Sequence, residues 1–144
     1  MEISEISVSY SNMNIEREKI KDSQTSFNVF FNSWNKETIE LQEEFKVLLL
    51  NRNNEVLGIY PLSKGGVSGT FVDVKLIFSV ALKCNASTII VAHNHPSGNL
   101  KSSEADKGLT EKLRVAGNYL DIKLLDHIIV TKNDYYSFAD NGIL

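Results

Sequence analysis

An unbroken apolar run near the middle of the chain constrains the fold most. Residues 87–92 read Ser-Thr-Ile-Ile-Val-Ala, a run typical of a strand that helices cover on both faces of its sheet. Apolar residues at helical spacing predict a helix before it, over about 73–83, and another after it, over about 103–116. The sequence therefore predicts an α/β (α+β mixed) fold with a mixed β-sheet flanked by helices.

Turn signals and further apolar runs complete the predicted sheet. Asn53-Asn54 separates two apolar runs and indicates a hairpin. Gly117 follows the last apolar position of the helix at 103–116, and we expect it to cap that helix. The remaining predicted elements are one helix and four strands, at residues 24–35, 44–50, 56–60, 122–131 and 135–138. The helix would bury one broad face made of Phe27, Val29, Phe30, Phe31 and Trp34.

The length of 144 residues is that of one domain. Residues 1–22 are polar, and we expect them to form an N-terminal arm that precedes a domain at residues 23–144. A short alternating run at residues 6–10 indicates either a peripheral strand or a loose arm.

Composition narrows the classes of partner and the compartment. Fifteen basic and eighteen acidic residues give a net charge of −3, which disfavours broad nucleic-acid binding but leaves room for a local basic patch. No apolar stretch reaches the roughly 20 residues that a membrane span needs, and the N-terminus lacks the features of a signal peptide. We therefore expect a cytoplasmic protein.

The single cysteine, Cys84, cannot form an internal disulfide, and we expect it to be an inert packing residue rather than a reactive thiol.

Two histidines directly after the apolar run carry the most specific chemical signal. In an extended segment, His93 and His95 point to the same side, and a turn at residues 96–98 leads to Ser103 and Asp106 at the start of the next helix. Two imidazole nitrogens and one carboxylate oxygen, with a fourth position open, are the ligands of a catalytic zinc site. Ser103 and Asp106 also fit a capping box, which by itself would account for both residues.

The spacing of these four residues, His-x-His-x7-Ser-x2-Asp, resembles the JAMM motif of MPN-domain metalloproteases. The phrase at residues 93–98, together with Leu-Asp-His at 125–127 and Tyr-Ser-Phe at 136–138, resembles the RadC family in particular. The resemblance covers about the last 105 residues, from about Glu40 to Leu144. It implies an MPN/JAMM fold related to that of the cytidine deaminases.

The resemblance also implies a reaction and its metal. Zn²⁺ would be bound by His93, His95 and Asp106. Zinc-activated water would attack an amide, in a peptide or isopeptide bond of a peptide or protein substrate that the sequence does not identify. A glutamate before the first strand would be the general base, and the family pattern Glu-x-Phe favours Glu43 over Glu44.

Ser103 and His127 each have two possible roles, and Ser102 departs from the family pattern. Ser103 would donate a hydrogen bond to the developing oxyanion, or else only cap its helix. His127 is outside the JAMM ligand set, and we expect a structural role or a contact with a ligand, with Asp126 as its possible hydrogen-bonding partner. Ser102 replaces the proline that relatives usually carry before the motif serine.

The alternatives are an accessory protein of DNA repair, a nucleobase deaminase and an inactive metal-binding scaffold. Longer RadC proteins carry an N-terminal helix-hairpin-helix region, and this chain resembles a short form without it, which weakens the DNA hypothesis. A deaminase would need His-x-Glu and Pro-Cys-x-x-Cys, whereas residue 95 is histidine and Cys84 is the only cysteine. The retained ligands disfavour an inactive scaffold without excluding it. The sequence leaves the oligomeric state open.

Overall fold

A five-stranded mixed sheet runs through the middle of the protein. The computed structural model describes residues 1–13, 15–66 and 69–144. Across these residues the chain forms three helices and five strands: α1 (Ser23–Ser33), β1 (Glu44–Leu50), β2 (Val56–Lys64), α2 (Val74–Lys83), β3 (Thr88–Asn94), α3 (Glu104–Tyr119), β4 (Lys123–Val130) and β5 (Tyr135–Ser137). The order of strands in the sheet is β2-β1-β3-β4-β5. The predicted mixed α/β fold is confirmed.

Strand β3 occupies the centre of the sheet. It pairs antiparallel with β1 and parallel with β4, and β2 and β5 pair antiparallel at the two outer edges. Every residue of β3 is buried, as expected for a strand with helices on both faces. Its observed bounds extend two residues beyond the predicted strand, so that His93 and Asn94 belong to it.

Two apolar layers cover the two faces of the sheet. On one face the sheet packs against α2 and α3 around Phe45, Val47, Ile77, Val91 and Leu113. On the other it packs against α1 around Phe30, Trp34, Leu48, Ile90 and Ile128. Strand alternation therefore assigns odd-numbered residues of β1 and β3 to the α2/α3 face and even-numbered residues to the α1 face. The predicted face of α1 is only partly correct, because Phe27, Val29 and Phe31 are half-buried.

Gly117 does not cap α3, contrary to the prediction. The helix continues to Tyr119, and Leu120 follows as its C-terminal cap. A Cβ atom at position 117 would lie 2.2 Å from the carbonyl oxygen of Ile122 and 3.7 Å from the Phe78 ring. Glycine is needed here because the backbone before β4 passes directly against the helix.

Asn12 and residues 18–20 of the N-terminal segment contact the beginning of β2 and the turn before it. Residues 6–10 form no strand. The side chain of Asn12 donates to the Leu57 carbonyl. The backbones of Lys19 and Glu55 form an isolated antiparallel β-bridge. Ile20 is buried against the α1 face. The boundary predicted between residues 22 and 23 stays a prediction.

Two other expectations concern Cys84 and the membrane. Cys84 is half-buried at the end of α2, and burial raises the pKa of its thiol. This shift disfavours the reactive thiolate, in line with a packing role. Within the described residues, no helix combines the length and the apolar composition that crossing a bilayer requires.

Two glycines of α3 provide a test of the packing at Gly117. Gly117→Ala places a methyl group against the Ile122 carbonyl, and we expect it to lower the free energy of unfolding by about 1–3 kcal/mol. Gly108→Ala is the control, because its added Cβ meets no atom within 4 Å apart from its chain neighbours and the backbone of its own helix. It should raise the free energy of unfolding by about 0.5–1 kcal/mol. Urea unfolding of both variants measures the difference, and equal stabilities would contradict the close approach.

Candidate metal centre

Three side chains converge where β3 ends and α3 begins. His93 is the penultimate residue of β3, His95 follows the strand, and Asp106 lies in the first turn of α3. Nε2 of His93 is 3.0 Å from Nε2 of His95. The two Asp106 oxygens lie 3.4 Å from Nε2 of His93 and 3.6 Å from Nε2 of His95. The structure thus brings the three sequence-predicted ligands together as one group that could hold a metal ion.

The hydrogen bond of His95 leaves a lone pair facing the centre of this group. Nδ1 of His95 lies 2.6 Å from the carbonyl oxygen of Asn99, and because a carbonyl only accepts, the neutral ring carries its proton on Nδ1. Its Nε2 then presents a lone pair to the cluster. His93 turns Nδ1 toward the ring of His127, 2.8 Å away, and presents Nε2 to the same point. This donor set, with a carboxylate facing two imidazole nitrogens, fits a divalent cation such as Zn²⁺.

The electrostatics of the cluster agree with that fit. Burial alone raises the pKa of Asp106, but His93 and His95, when protonated, and the Ser103 N–H outweigh that effect, so that the pKa lies well below its ordinary value. The Asp106 carboxylate in turn raises the pKa of His95. The cluster therefore favours positive charge beside an ionised carboxylate.

Local backbone conformation explains how the chain reaches this arrangement. The Gly98 N–H donates to the His95 carbonyl across a turn, and Gly98 takes a φ of +82° that suits glycine. At the start of α3, Ser103 Oγ accepts from the Asp106 N–H and Asp106 Oδ2 accepts from the Ser103 N–H. The predicted capping box is present. It coexists with the metal-binding geometry, because Oδ1 of Asp106 faces His93.

The two candidate glutamates lie on opposite faces of the sheet. Glu43 immediately precedes β1 and lines a cleft together with His95 and Asp106. Burial raises its pKa, although charge on the two histidines partly opposes this. Glu44 is 6% exposed, shares the α1 face with Lys46 and lies 3.8 Å from the ammonium group of Lys64. Strand alternation thus gives Glu43 access to the cluster, and its catalytic role stays a prediction.

Asn94 fixes the segment that carries Glu43, and the sequence analysis missed it. Its side chain points to the face opposite His93, is fully buried and accepts from the Glu44 N–H at 2.7 Å. Its amide nitrogen donates to the carbonyls of Ile39 and Gln42 at 2.7 and 2.9 Å. The available signal was its position between two histidines in an extended strand, since alternation sends the middle residue to the other face.

His127 contacts His93, one of the predicted ligands, and its ring partners differ from the expected one. The ring is fully buried and stacks on Phe138. Its Nε2 lies 2.8 Å from Nδ1 of His93, and its Nδ1 lies 2.7 Å from the Thr110 hydroxyl. Asp126 instead accepts from the backbone N–H of His127. Thr110 was missed because a helix threonine carries no sequence signal for a partner on another element.

Two adjoining cavities flank the cluster, and both are lined by Glu43, Thr70, Ala105 and Asp106. The first, of about 380 Å³, has mainly polar walls that include His95, Lys101 and Ser103. The second, of about 250 Å³, has mainly apolar walls that include Phe45, Phe71 and Leu109. Together they form an open cleft across the cluster, polar on one side and apolar on the other.

Comparison with known proteins agrees with the family resemblance found in the sequence. The family model described as the RadC-like JAB domain matches residues 20–143. A UPF0758 protein of Flavobacterium johnsoniae is 54% identical over 101 residues, which are 70% of this chain and 44% of that protein. UPF0758 proteins of Porphyromonas gingivalis and Haemophilus ducreyi are 47% and 43% identical, over 72% and 70% of this chain and 46% and 45% of their own lengths. The chain thus spans less than half the length of these relatives, and their names state no activity.

The contacts of Asn94 predict a cost for the isosteric change Asn94→Asp. The new carboxylate would face the carbonyl oxygens of Ile39 and Gln42, which lose their donors. We expect the free energy of unfolding to fall by about 3 kcal/mol or more at pH 7. Asn133→Asp, at an exposed turn position, is the control and should change it by less than about 0.5 kcal/mol. Urea unfolding measures both, and equal values would contradict the role of Asn94.

Proposed function

The chain belongs to the RadC-like JAB domain family, and on that premise we propose that it is a zinc-dependent hydrolase. Its reaction would be the attack of water on an amide, in a peptide or isopeptide bond of a peptide or protein substrate. The observation that carries this proposal is the convergence of His93 Nε2, His95 Nε2 and the Asp106 carboxylate within 3.0–3.6 Å. The Asn99 carbonyl holds the proton of His95 on Nδ1 and so leaves the Nε2 lone pair of His95 toward the centre.

The choice of zinc follows from the ligand types. Two imidazole nitrogens and one carboxylate oxygen are typical of catalytic zinc sites, which keep a further position open for water or substrate. When bound by His93, His95 and Asp106, zinc would supply a lowered pKa for water and polarisation of the scissile carbonyl. The open cleft beside the cluster supports access for a substrate.

Glu43 is the general base in this proposal. It lines both cavities that adjoin the cluster, and its raised pKa brings the carboxylate closer to the range in which a base can take and return a proton near neutral pH. Glu43 would take a proton from the attacking water and give it to the nitrogen of the leaving amine. The amide C–N bond then breaks, and the products are a carboxylic acid and an amine.

Ser103 would stabilise the negative charge that develops on the carbonyl oxygen. Its Oγ uses a lone pair to accept from the Asp106 N–H, and the hydroxyl hydrogen is therefore available to a substrate. Ser103 also lines the polar cavity. Capping the helix and donating to an oxyanion are compatible roles for this one hydroxyl group.

Matched glutamine variants of the two glutamates test the proposal. Wild type, Glu43→Gln and Glu44→Gln should each retain about one zinc per chain by elemental analysis, because neither glutamate is a ligand. In a mass-spectrometric screen of peptides and isopeptide-linked lysine peptides, Glu43→Gln should lose at least about 100-fold in rate. Glu44→Gln should cleave like wild type.

A ligand variant and two contrary outcomes complete this test. His95→Ala should lose both zinc and hydrolysis. Full activity of Glu43→Gln would reject Glu43 as the base. A zinc-loaded wild-type protein that cleaves nothing in either class of peptide would contradict the proposed reaction.

A further inference from the structure

We propose that His127 and Thr110 are positioning residues that fix the proton of the His93 ring on Nδ1 and thereby keep Nε2 free for the metal. A directional chain of hydrogen bonds runs from His93 through His127 and Thr110 to the backbone carbonyl of Asp106. The inference deepens the proposed function and rests on it, because it concerns how the zinc ligands are prepared.

The direction of the chain is set at Thr110. Its Oγ1 lies 2.7 Å from the Asp106 carbonyl oxygen and 2.7 Å from Nδ1 of His127. The carbonyl has no hydrogen, so the single hydroxyl hydrogen of Thr110 lies between the two oxygens. The Thr110 oxygen is then an acceptor toward His127, and the proton of that contact belongs to Nδ1 of His127.

The proton position on His127 in turn determines the proton position on His93. A neutral imidazole carries one N–H and one lone pair, and His127 is fully buried between aromatic rings, with no carboxylate among its ring partners. With its proton on Nδ1, it presents a lone pair on Nε2. The hydrogen in the 2.8 Å contact therefore belongs to Nδ1 of His93. Its Nε2 is left with the lone pair that faces His95 and Asp106.

This chain of hydrogen bonds also joins two of the three proposed ligands. It begins at the ring of His93 on β3 and ends on the backbone of Asp106 in α3. His93, Thr110 and His127 are each at most 2% exposed, so water does not compete readily for these hydrogen bonds. The proton on His93 and the position of α3 are consequently coupled through one threonine hydroxyl.

A pair of variants at Thr110 separates this role from simple packing. Thr110→Val keeps the shape but removes the hydroxyl, whereas Thr110→Ser keeps the hydroxyl and removes a methyl group. Without the hydroxyl, His127 can move its proton to Nε2, and His93 can donate from its own Nε2 to the Asp106 carboxylate 3.4 Å away. In that arrangement Nε2 of His93 carries a hydrogen and has no lone pair for the metal.

Zinc affinity is the first readout. Competition with a chromophoric chelator should give a zinc dissociation constant about tenfold higher for Thr110→Val than for wild type, the lower end of the effect usual for partners of metal ligands. Thr110→Ser should stay within about threefold of wild type. If Thr110 had a packing role alone, Thr110→Ser would weaken zinc binding more than Thr110→Val, because serine loses buried apolar contact and valine does not.

The second readout is the proton position, measured by ¹⁵N NMR of the histidine rings in metal-free protein. Wild type and Thr110→Ser should carry the His93 proton on Nδ1, and Thr110→Val should shift it toward Nε2. A wild-type His93 with its proton on Nε2, or a valine variant equal to the serine variant in both readouts, would overturn the inference. A wild type that binds no zinc would reject the proposed function, and the NMR result would then decide this inference alone.

Discussion

Strand alternation at the end of β3 is the constraint on which both the fold and the site depend. This strand is held on one edge by β1 and on the other by β4, so neither its register nor its faces can shift. His93 consequently points toward α3 and the cluster, and Asn94 points to the opposite face, where it holds the segment before β1. His93, a proposed zinc ligand, and Asn94, which holds the segment carrying Glu43, are therefore adjacent residues with opposite orientations.

Each side chain of the cluster also has a hydrogen-bond partner outside it. A carboxylate and two imidazole nitrogens approach within 3.0–3.6 Å, and each has a partner on its far side. His95 donates to Asn99, Asp106 accepts from Ser103, and His93 contacts His127. These partners orient the three side chains toward one point, where a cation would interact favourably with the ionised carboxylate.

Much of this site could be predicted from the sequence because short spacings within a strand and a first helical turn have predictable geometry. The residues His93, His95 and Asp106 follow that rule. The family pattern Glu-x-Phe favoured Glu43 over Glu44, and the structure places the two on opposite faces. Gly117 was misassigned because its close neighbour, the Ile122 carbonyl, comes from a turn whose path the sequence does not specify. The contact between Thr110 and His127 joins a helix to a strand, and such pairs have no characteristic spacing.

Crystallography with X-rays on either side of the zinc absorption edge tests the central claim most directly. Protein crystallised with equimolar zinc should show one anomalous peak, about 2.0–2.1 Å from Nε2 of His93 and of His95 and about 2.0–2.2 Å from an Asp106 oxygen. Nδ1 of His93 should still face His127 in that structure. A zinc ion bound by other residues, or a structure in which these three side chains hold none, would contradict the account.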